Sequence, residues 1–212
     1  MRKIDLNAES VAAAVKACAE VLRAGGVAAV PTETVYGLVA LWDNPAGRQR
    51  ICELKRRPAD KRLQMLAADT AMAHRAGVRA DPRLEKLAAK FWPGALTVVC
   101  AGNTQPATGN PQHATAPDTV GLRIPDHPFM QALLLELGAP LAATSANLSG
   151  EPPGTDAESA VARLDGCPGI LVDGGPIADA AASTVAEITG PELKVLRPGP
   201  VTECELRAAL RG

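Results

Sequence analysis

The passage that most constrains the fold runs from residue 11 to residue 34, where a helical pattern closes on two glycines and passes directly into an apolar stretch. Val11, Ala14, Val15, Cys18, Val21 and Leu22 recur at the spacing of a helix that buries one face, and Gly25-Gly26 supplies a left-handed stop. Val27-Ala28-Ala29-Val30 follows without polar alternation, as a strand covered on both faces requires. It ends in Pro31-Thr32-Glu33-Thr34, so polar groups collect at a strand end, the place where open α/β sheets hold ligands.

Similar signals recur downstream. Asn44-Pro45 and Asp81-Pro82 each read as an N-cap with proline in the first helical position. The first opens a helix through Ile51 and Leu54 that Pro58 closes, and the second a helix through Leu84, Leu87 and Ala88. Asp126 is expected to cap a helix through Leu133, Leu134 and Leu137, with His127 in its first turn. Thr155 to Glu158 and Thr202 to Glu205 fit the capping box. Strands are expected at 95–101, 120–124, 141–143, 170–172, 184–188 and 193–196, with a long functional loop over 102–118. Helices and strands alternate first and strands cluster late. The expectation is a single-domain α/β fold with a twisted mixed β-sheet flanked by helices, spanning 1–212, with a core over about 7–201 and a C-terminal helix over about 202–211.

Composition narrows the function. Aromatic residues are only 2%, which leaves no row of platforms for stacking single-stranded bases, and the net charge of −1 removes the global attraction of a phosphate-dependent nucleic-acid binder. The five cysteines at 18, 52, 100, 167 and 204 form no C-x-x-C pair and read as small core residues of a reducing compartment. The N-terminus lacks the pattern of a secretory leader, and no apolar run approaches the roughly 20 residues a membrane span needs. A cytoplasmic protein is expected.

No G-x-x-x-x-G-K-[ST] or strand-linked G-x-G-x-x-G occurs, so a nucleotide would have to be held by side chains. His74, His113 and His127 accompany neither a G-x-S-x-G elbow nor an H-E-x-x-H, which argues against a hydrolytic triad or zinc site. The densest charge is Lys55-Arg56-Arg57-Pro58-Ala59-Asp60-Lys61-Arg62, where cations at a helix end could converge on a polyphosphate or simply complement the helix dipole. Thr34 and Tyr36 follow one strand end, and Thr144-Ser145-Ala146-Asn147 sits at another. Arg123 lies inside an apolar strand and needs an anionic partner there. Arg197 and Ser183-Thr184 complete the set.

In this order, PTETVYGL at 31–38, Lys55-x-Arg57-Pro58, FWPGALT at 91–97, GLRIPDHP at 121–128, TSANLSG at 144–150, DGGP at 173–176, Ser183-Thr184 and LRPGP at 196–200 resemble the YrdC-like family of threonylcarbamoyl-adenylate synthases. The resemblance spans nearly the whole chain. It implies a reaction that joins L-threonine, bicarbonate and ATP into L-threonylcarbamoyl-AMP with release of pyrophosphate. The product would feed N6-threonylcarbamoyl modification of tRNAs reading ANN codons, through a tRNA-threonylcarbamoyl transferase complex as acceptor.

By position, the resemblance assigns Thr34, Arg123 and Ser183 to threonine. It assigns Arg57, Lys61, Thr119, Ser145, Asn147 and Arg197 to ATP, and makes Lys55 and Arg57 catalytic. Mg2+ would arrive with ATP, not on protein side chains. Arg62 stands where many members have Pro, Leu66 where some have His, and Val39 where Gly is common. Two other readings remain at this stage: a carbamoyl-adenylate-forming domain of the hydrogenase-maturation type, and an RNA-binding module holding tRNA or double-stranded RNA weakly through the basic cluster.

Overall fold

A computed structural model of the chain describes residues 1–58, 61–102, 119–178 and 181–211. Its strands are β1 (Arg2–Asp5), β2 (Ala28–Val30), β3 (Gly37–Leu41), β4 (Gln64–Leu66), β5 (Leu96–Ala101), β6 (Thr119–Arg123), β7 (Leu141–Ser145), β8 (Ile170–Asp173), β9 (Thr184–Glu187) and β10 (Lys194–Arg197). The helices are α1 (Val11–Arg23), α2 (Pro45–Lys55), α3 (Thr70–Arg75), α4 (Pro82–Phe91), α5 (Pro128–Leu137), α6 (Ala157–Ala162) and α7 (Glu203–Arg211). The strands form one sheet in the order β1-β8-β2-β3-β7-β4-β6-β5-β9-β10. Parallel pairs (β1/β8, β2/β8, β4/β6, β5/β9) are mixed with antiparallel ones (β2/β3, β3/β7, β4/β7, β5/β6, β9/β10), giving the expected mixed sheet.

Local chemistry sets the helix ends. Ser10 caps α1, Asn44 caps α2 and Asp81 caps α4, each accepting a backbone N–H of the first turn, with proline following in the latter two. α2 ends earlier than Pro58 requires, because Arg56 takes a left-handed conformation (φ 48°) directly after Lys55. The N-cap of α5 is His127 and not Asp126, and it makes no side-chain cap bond; the Asp126 amide is instead taken up by Glu33. The box of α6 is formed by Asp156 and Ser159, one residue beyond the expected Thr155, since Asp156 accepts the Ser159 amide. The Thr202–Glu205 box is present.

Short elements escaped the periodicity reading: β1, β3, β4 and α3 have between three and six residues, too few to display a repeat. The expected loop over 102–118 lies, apart from Gly102, outside the described residues. Cys18, Cys52 and Cys100 are buried as expected, whereas Cys167, between α6 and β8, and Cys204, on a face of α7 that the core does not reach, are exposed.

One hydrophobic core joins α1, α2, α4 and α5 to the sheet through Leu22, Ile51, Leu54, Leu84, Leu87, Phe129, Leu133 and Leu134, with Leu38, Met65, Val98 and Leu122 from the strands. Alternation along β6 then determines what remains for chemistry. Val120 and Leu122 point into this core, so Thr119, Gly121 and Arg123 share the opposite face. In register beside them stand Thr97 and Val99 on β5 and Gln64 and Leu66 on β4.

Candidate active site

The polar strip across β4, β5 and β6 is the floor of the site. Gly121 keeps it open at its middle: a Cβ there would already touch the Thr97 methyl at 3.4 Å and Gln64 Cβ at 3.7 Å. Thr119 and Arg123 lie at its two ends, four residues apart and thus separated by about 13 Å of strand. The candidate residues gather at these ends.

At the Arg123 end, the buried guanidinium (3% exposed) has the anionic partner that its place in an apolar strand demands. Its Nη2 donates to Glu33 Oε1 at 2.6 Å, its Nη1 to the Thr34 hydroxyl at 2.9 Å and its Nε to the Gly94 carbonyl at 3.2 Å. Thr32 bonds Thr34 at 3.0 Å and accepts the Thr34 and Val35 amides, which folds the 31–36 loop back over the sheet. Glu33 Oε2 is buried with no hydrogen-bond partner.

A second set adjoins it. Ser183 Oγ meets Thr97 Oγ1 at 2.9 Å, Thr97 donates to Gln64 at 3.2 Å, and Arg197 donates to the Ser183 carbonyl at 2.9 Å and hydroxyl at 3.2 Å. Burial, and then the nearby charge of Arg123, push the Arg197 guanidinium below its ordinary range. Arg123 already has Glu33 as its counterion, whereas Arg197 forms no ion pair among the described residues, so an anion entering beside Arg197 would offset the repulsion between the two guanidiniums. Gly199 allows this turn, because a Cβ there would fall 2.4 Å from the Thr184 amide nitrogen.

At the other end, α2 delivers the basic cluster to the end of β7. Lys55 is 1% exposed. Its ammonium donates to the Ser145 carbonyl at 2.5 Å, the Asn147 carbonyl at 2.6 Å and Asn147 Oδ1 at 3.1 Å, one acceptor for each N–H. Burial, with Arg57 adding repulsion, pushes this amine down to about 8. The Asn147 amide nitrogen donates to the Leu148 and Glu151 carbonyls. Lys55 and Asn147 therefore tie the turn that presents Ser145, and the ladder pairing Gly37 with Ser145 sets that turn beside the 31–36 loop.

The rest of the cluster divides. Arg56 faces away, paired with Asp165 at 2.9 Å and 71% exposed. Arg57 turns inward and donates to the Lys61 and Arg62 carbonyls at 3.1 and 2.7 Å. Lys61 is exposed. Arg62 donates to the Thr119 carbonyl at 2.9 Å and hydroxyl at 2.8 Å, crossing from the loop to β6.

Of the residues assigned from the sequence, the structure groups Thr34, Arg123, Ser183 and Arg197 at one end and Lys55, Arg57, Ser145 and Asn147 around the α2–β7 junction, with Thr119 joined to the basic loop. Arg197 thus stands with Ser183 and not with the other residues assigned to ATP. Sequence reading placed Glu33 among the polar groups of a ligand-binding strand end without giving it a role, and it passed over Gln64 and Thr97 as site residues. A threonine interrupting the apolar run of β5 was the signal for Thr97; Gln64 carried none until the strand register was known, and nothing in the sequence paired Glu33 with Arg123.

A family model described as telomere recombination, covering Sua5, YciO and YrdC proteins, matches residues 20–199. The chain is 40% identical over 192 residues to a threonylcarbamoyl-AMP synthase of Bacillus subtilis, covering 91% of this chain but 55% of that protein. It is 34% identical to a threonylcarbamoyl-AMP synthase of Vibrio cholerae, covering 85% of this chain and 94% of the relative. The crystal structure of Pyrococcus abyssi Sua5 complexed with L-threonine superposes with a TM-score of 0.83 at 32% identity, over 98% of this chain and 60% of that one. The chain therefore spans little more than half of some relatives and nearly all of others, and it belongs to the Sua5/YciO/YrdC family.

Proposed function

We propose that this protein is an L-threonylcarbamoyladenylate synthase, joining L-threonine, bicarbonate and ATP into L-threonylcarbamoyl-AMP, pyrophosphate and water. The observation that carries the reading is the strip of β6, with two neighbouring guanidiniums, one of them paired with Glu33, and hydroxyls at one end and the basic loop and Ser145 turn at the other. Its length of about 13 Å suits an amino acid placed end to end with a triphosphate. The likeness to a Sua5 complexed with L-threonine and to synthases named for a threonylcarbamoyl-AMP product supports the same assignment.

In this reading Arg123, with Thr34 and Ser183 beside it, receives the threonine carboxylate and hydroxyl, and Arg197 extends the cationic wall toward the carbamate. The threonine amine bonds to the bicarbonate carbon with loss of water, and a carbamate oxygen then displaces pyrophosphate from the α-phosphorus. Both partners are anionic, so the barrier is repulsion, and positioned cations lower it without a protein nucleophile. Arg57 and Lys61 face the triphosphate, Ser145 and Thr119 hold the nucleotide, and Lys55 and Asn147 position the Ser145 turn.

Glu33 uses Oε1 for Arg123 and the Asp126 amide and leaves a single oxygen, Oε2, without a partner, and among the described residues no three His, Cys, Asp or Glu side chains are grouped so as to hold a metal ion. This donor set fits Mg2+ that arrives on the triphosphate, where it offsets phosphate charge. We place the protein in the cytoplasm, passing its product to a tRNA-threonylcarbamoyl transferase complex, with tRNA itself bound weakly. No helix among the described residues is long and apolar enough to cross a membrane.

The test is incubation with ATP, Mg2+ and labelled bicarbonate. Label should enter an adenylate, with pyrophosphate release, only when L-threonine is present, and L-serine should be a poorer substrate. No labelled adenylate, or carbamoyl phosphate replacing threonine and bicarbonate, defeats the proposal.

A further inference from the structure

The Arg62 contact with Thr119 has a directional consequence. A guanidinium only donates, so the Thr119 hydroxyl accepts at 2.8 Å and its single hydrogen must point elsewhere. The same Arg62 nitrogen also holds the Thr119 carbonyl at 2.9 Å, which fixes the residue at the very start of β6. The Arg62 carbonyl in turn accepts from Arg57 at 2.7 Å, so the end of α2, the basic loop and the first residue of β6 form one connected brace.

We propose that Arg62 is a positioning residue of the nucleotide end: it acts through Thr119, committing that hydroxyl as a donor toward an acceptor atom of the bound nucleotide. Its charge need not touch phosphate. This rests on the synthase reading above, and it assigns a role to a side chain that the motif residues do not include. It also predicts that Thr119 offers the ligand its hydrogen, one of the two hydroxyl lone pairs being already taken by Arg62.

The experiment is a double-mutant cycle on the full chain, reading KM for ATP and kcat by pyrophosphate release in parent, Arg62→Ala, Thr119→Val and the double variant. Arg62→Ala should raise KM for ATP about five- to tenfold, the scale of one oriented hydrogen bond, with kcat within about twofold. In the Thr119→Val background it should have no further effect. Thr119→Ser, which keeps the hydroxyl, provides a second background in which Arg62→Ala should cost as much as in the parent, and it serves if the valine variant does not fold. Arg62→Ala indistinguishable from parent, or a full additional loss in the Thr119→Val background, overturns the proposal; the latter places Arg62 on the nucleotide directly. A parent protein with no ATP-dependent pyrophosphate release overturns instead the synthase reading on which the proposal rests.

Discussion

Lys55→Met separates holding a turn from contacting a phosphate. In the fold the Lys55 amine is held near 8, against an ordinary 10.5, so its protonated form is the one that folding penalises. That penalty, about 3 kcal/mol, is present in full below pH 8 and disappears as pH rises to 10.5, because in that window the unfolded chain binds the proton that the fold releases. Methionine removes the penalty and strands three acceptors, each at a cost of about 1 kcal/mol at the lower end of the usual range. The two effects nearly cancel. The variant should unfold within about 2 kcal/mol of the parent at pH 7, and it should lack the gain in stability that the parent shows between pH 8 and 10.5. Function should not be spared: with the Ser145–Asn147 turn untethered, KM for ATP should rise on the order of tenfold to a hundredfold. Saturating ATP should recover most of kcat, whereas a lost transition-state contact would lower kcat by about 10²- to 10³-fold. Chemical denaturation across pH and steady-state pyrophosphate release measure both. An ATP KM within twofold of the parent refutes the tether.

Arg57→Ala should lose about a hundredfold in kcat/KM if, as proposed, this cation faces phosphate as well as bracing the 61–62 carbonyls, while Arg56→Ala, which breaks only an exposed ion pair, should stay within about twofold; equal activities of the two refute the division of the cluster. Ser183→Ala removes the group that joins Thr97 to Arg197 and should raise KM for L-threonine about tenfold with KM for ATP unchanged, measured by varying each substrate separately. Tyr36, fully buried, accepts the Gly174 amide at 3.0 Å and donates to the Gly175 carbonyl at 2.7 Å. Tyr36→Phe should therefore cost about 2 kcal/mol and lower Tm by about 4–8 °C in a scanning calorimeter.

Much of this was legible in the sequence because it depended on neighbours along the chain. The α1–β2 passage, the Asn44-Pro45 and Asp81-Pro82 caps and the buried strands β7 and β8 follow from local pattern, and Arg123 declared its need for an anion by standing among apolar residues. What the sequence withheld depends on partners far along the chain. Glu33 lies 90 positions from Arg123 and Ser183 lies 86 from Thr97, so no window shows that they meet. Lys55 and Asn147 resembled ligand contacts because a buried amine with three carbonyl acceptors has the same composition as a phosphate site; only the geometry shows that its donors are already committed. Motif resemblance named residues that the fold gathers at the two ends of one strip, without distinguishing those that could touch a ligand from those that hold the others.

The strand order also governs how the protein comes to exist. β3 pairs with β7 and β5 with β9, so the ladders that build the site close loops of roughly a hundred residues, and β8 must return between β1 and β2 near the start of the chain. Such distant pairings place the rate-limiting search late in folding, since loop-closure entropy must be overcome before the contacts repay it. During synthesis the α1 and α2 faces emerge long before β7, β8 and β9 can cover the sheet beneath them, which leaves apolar surface open to chaperones and to aggregation. Of the candidate site's side chains, Ser183 and Arg197 leave the ribosome last. Until then the nascent chain has a basic loop and half a floor, and activity should appear abruptly with completion of the final strands.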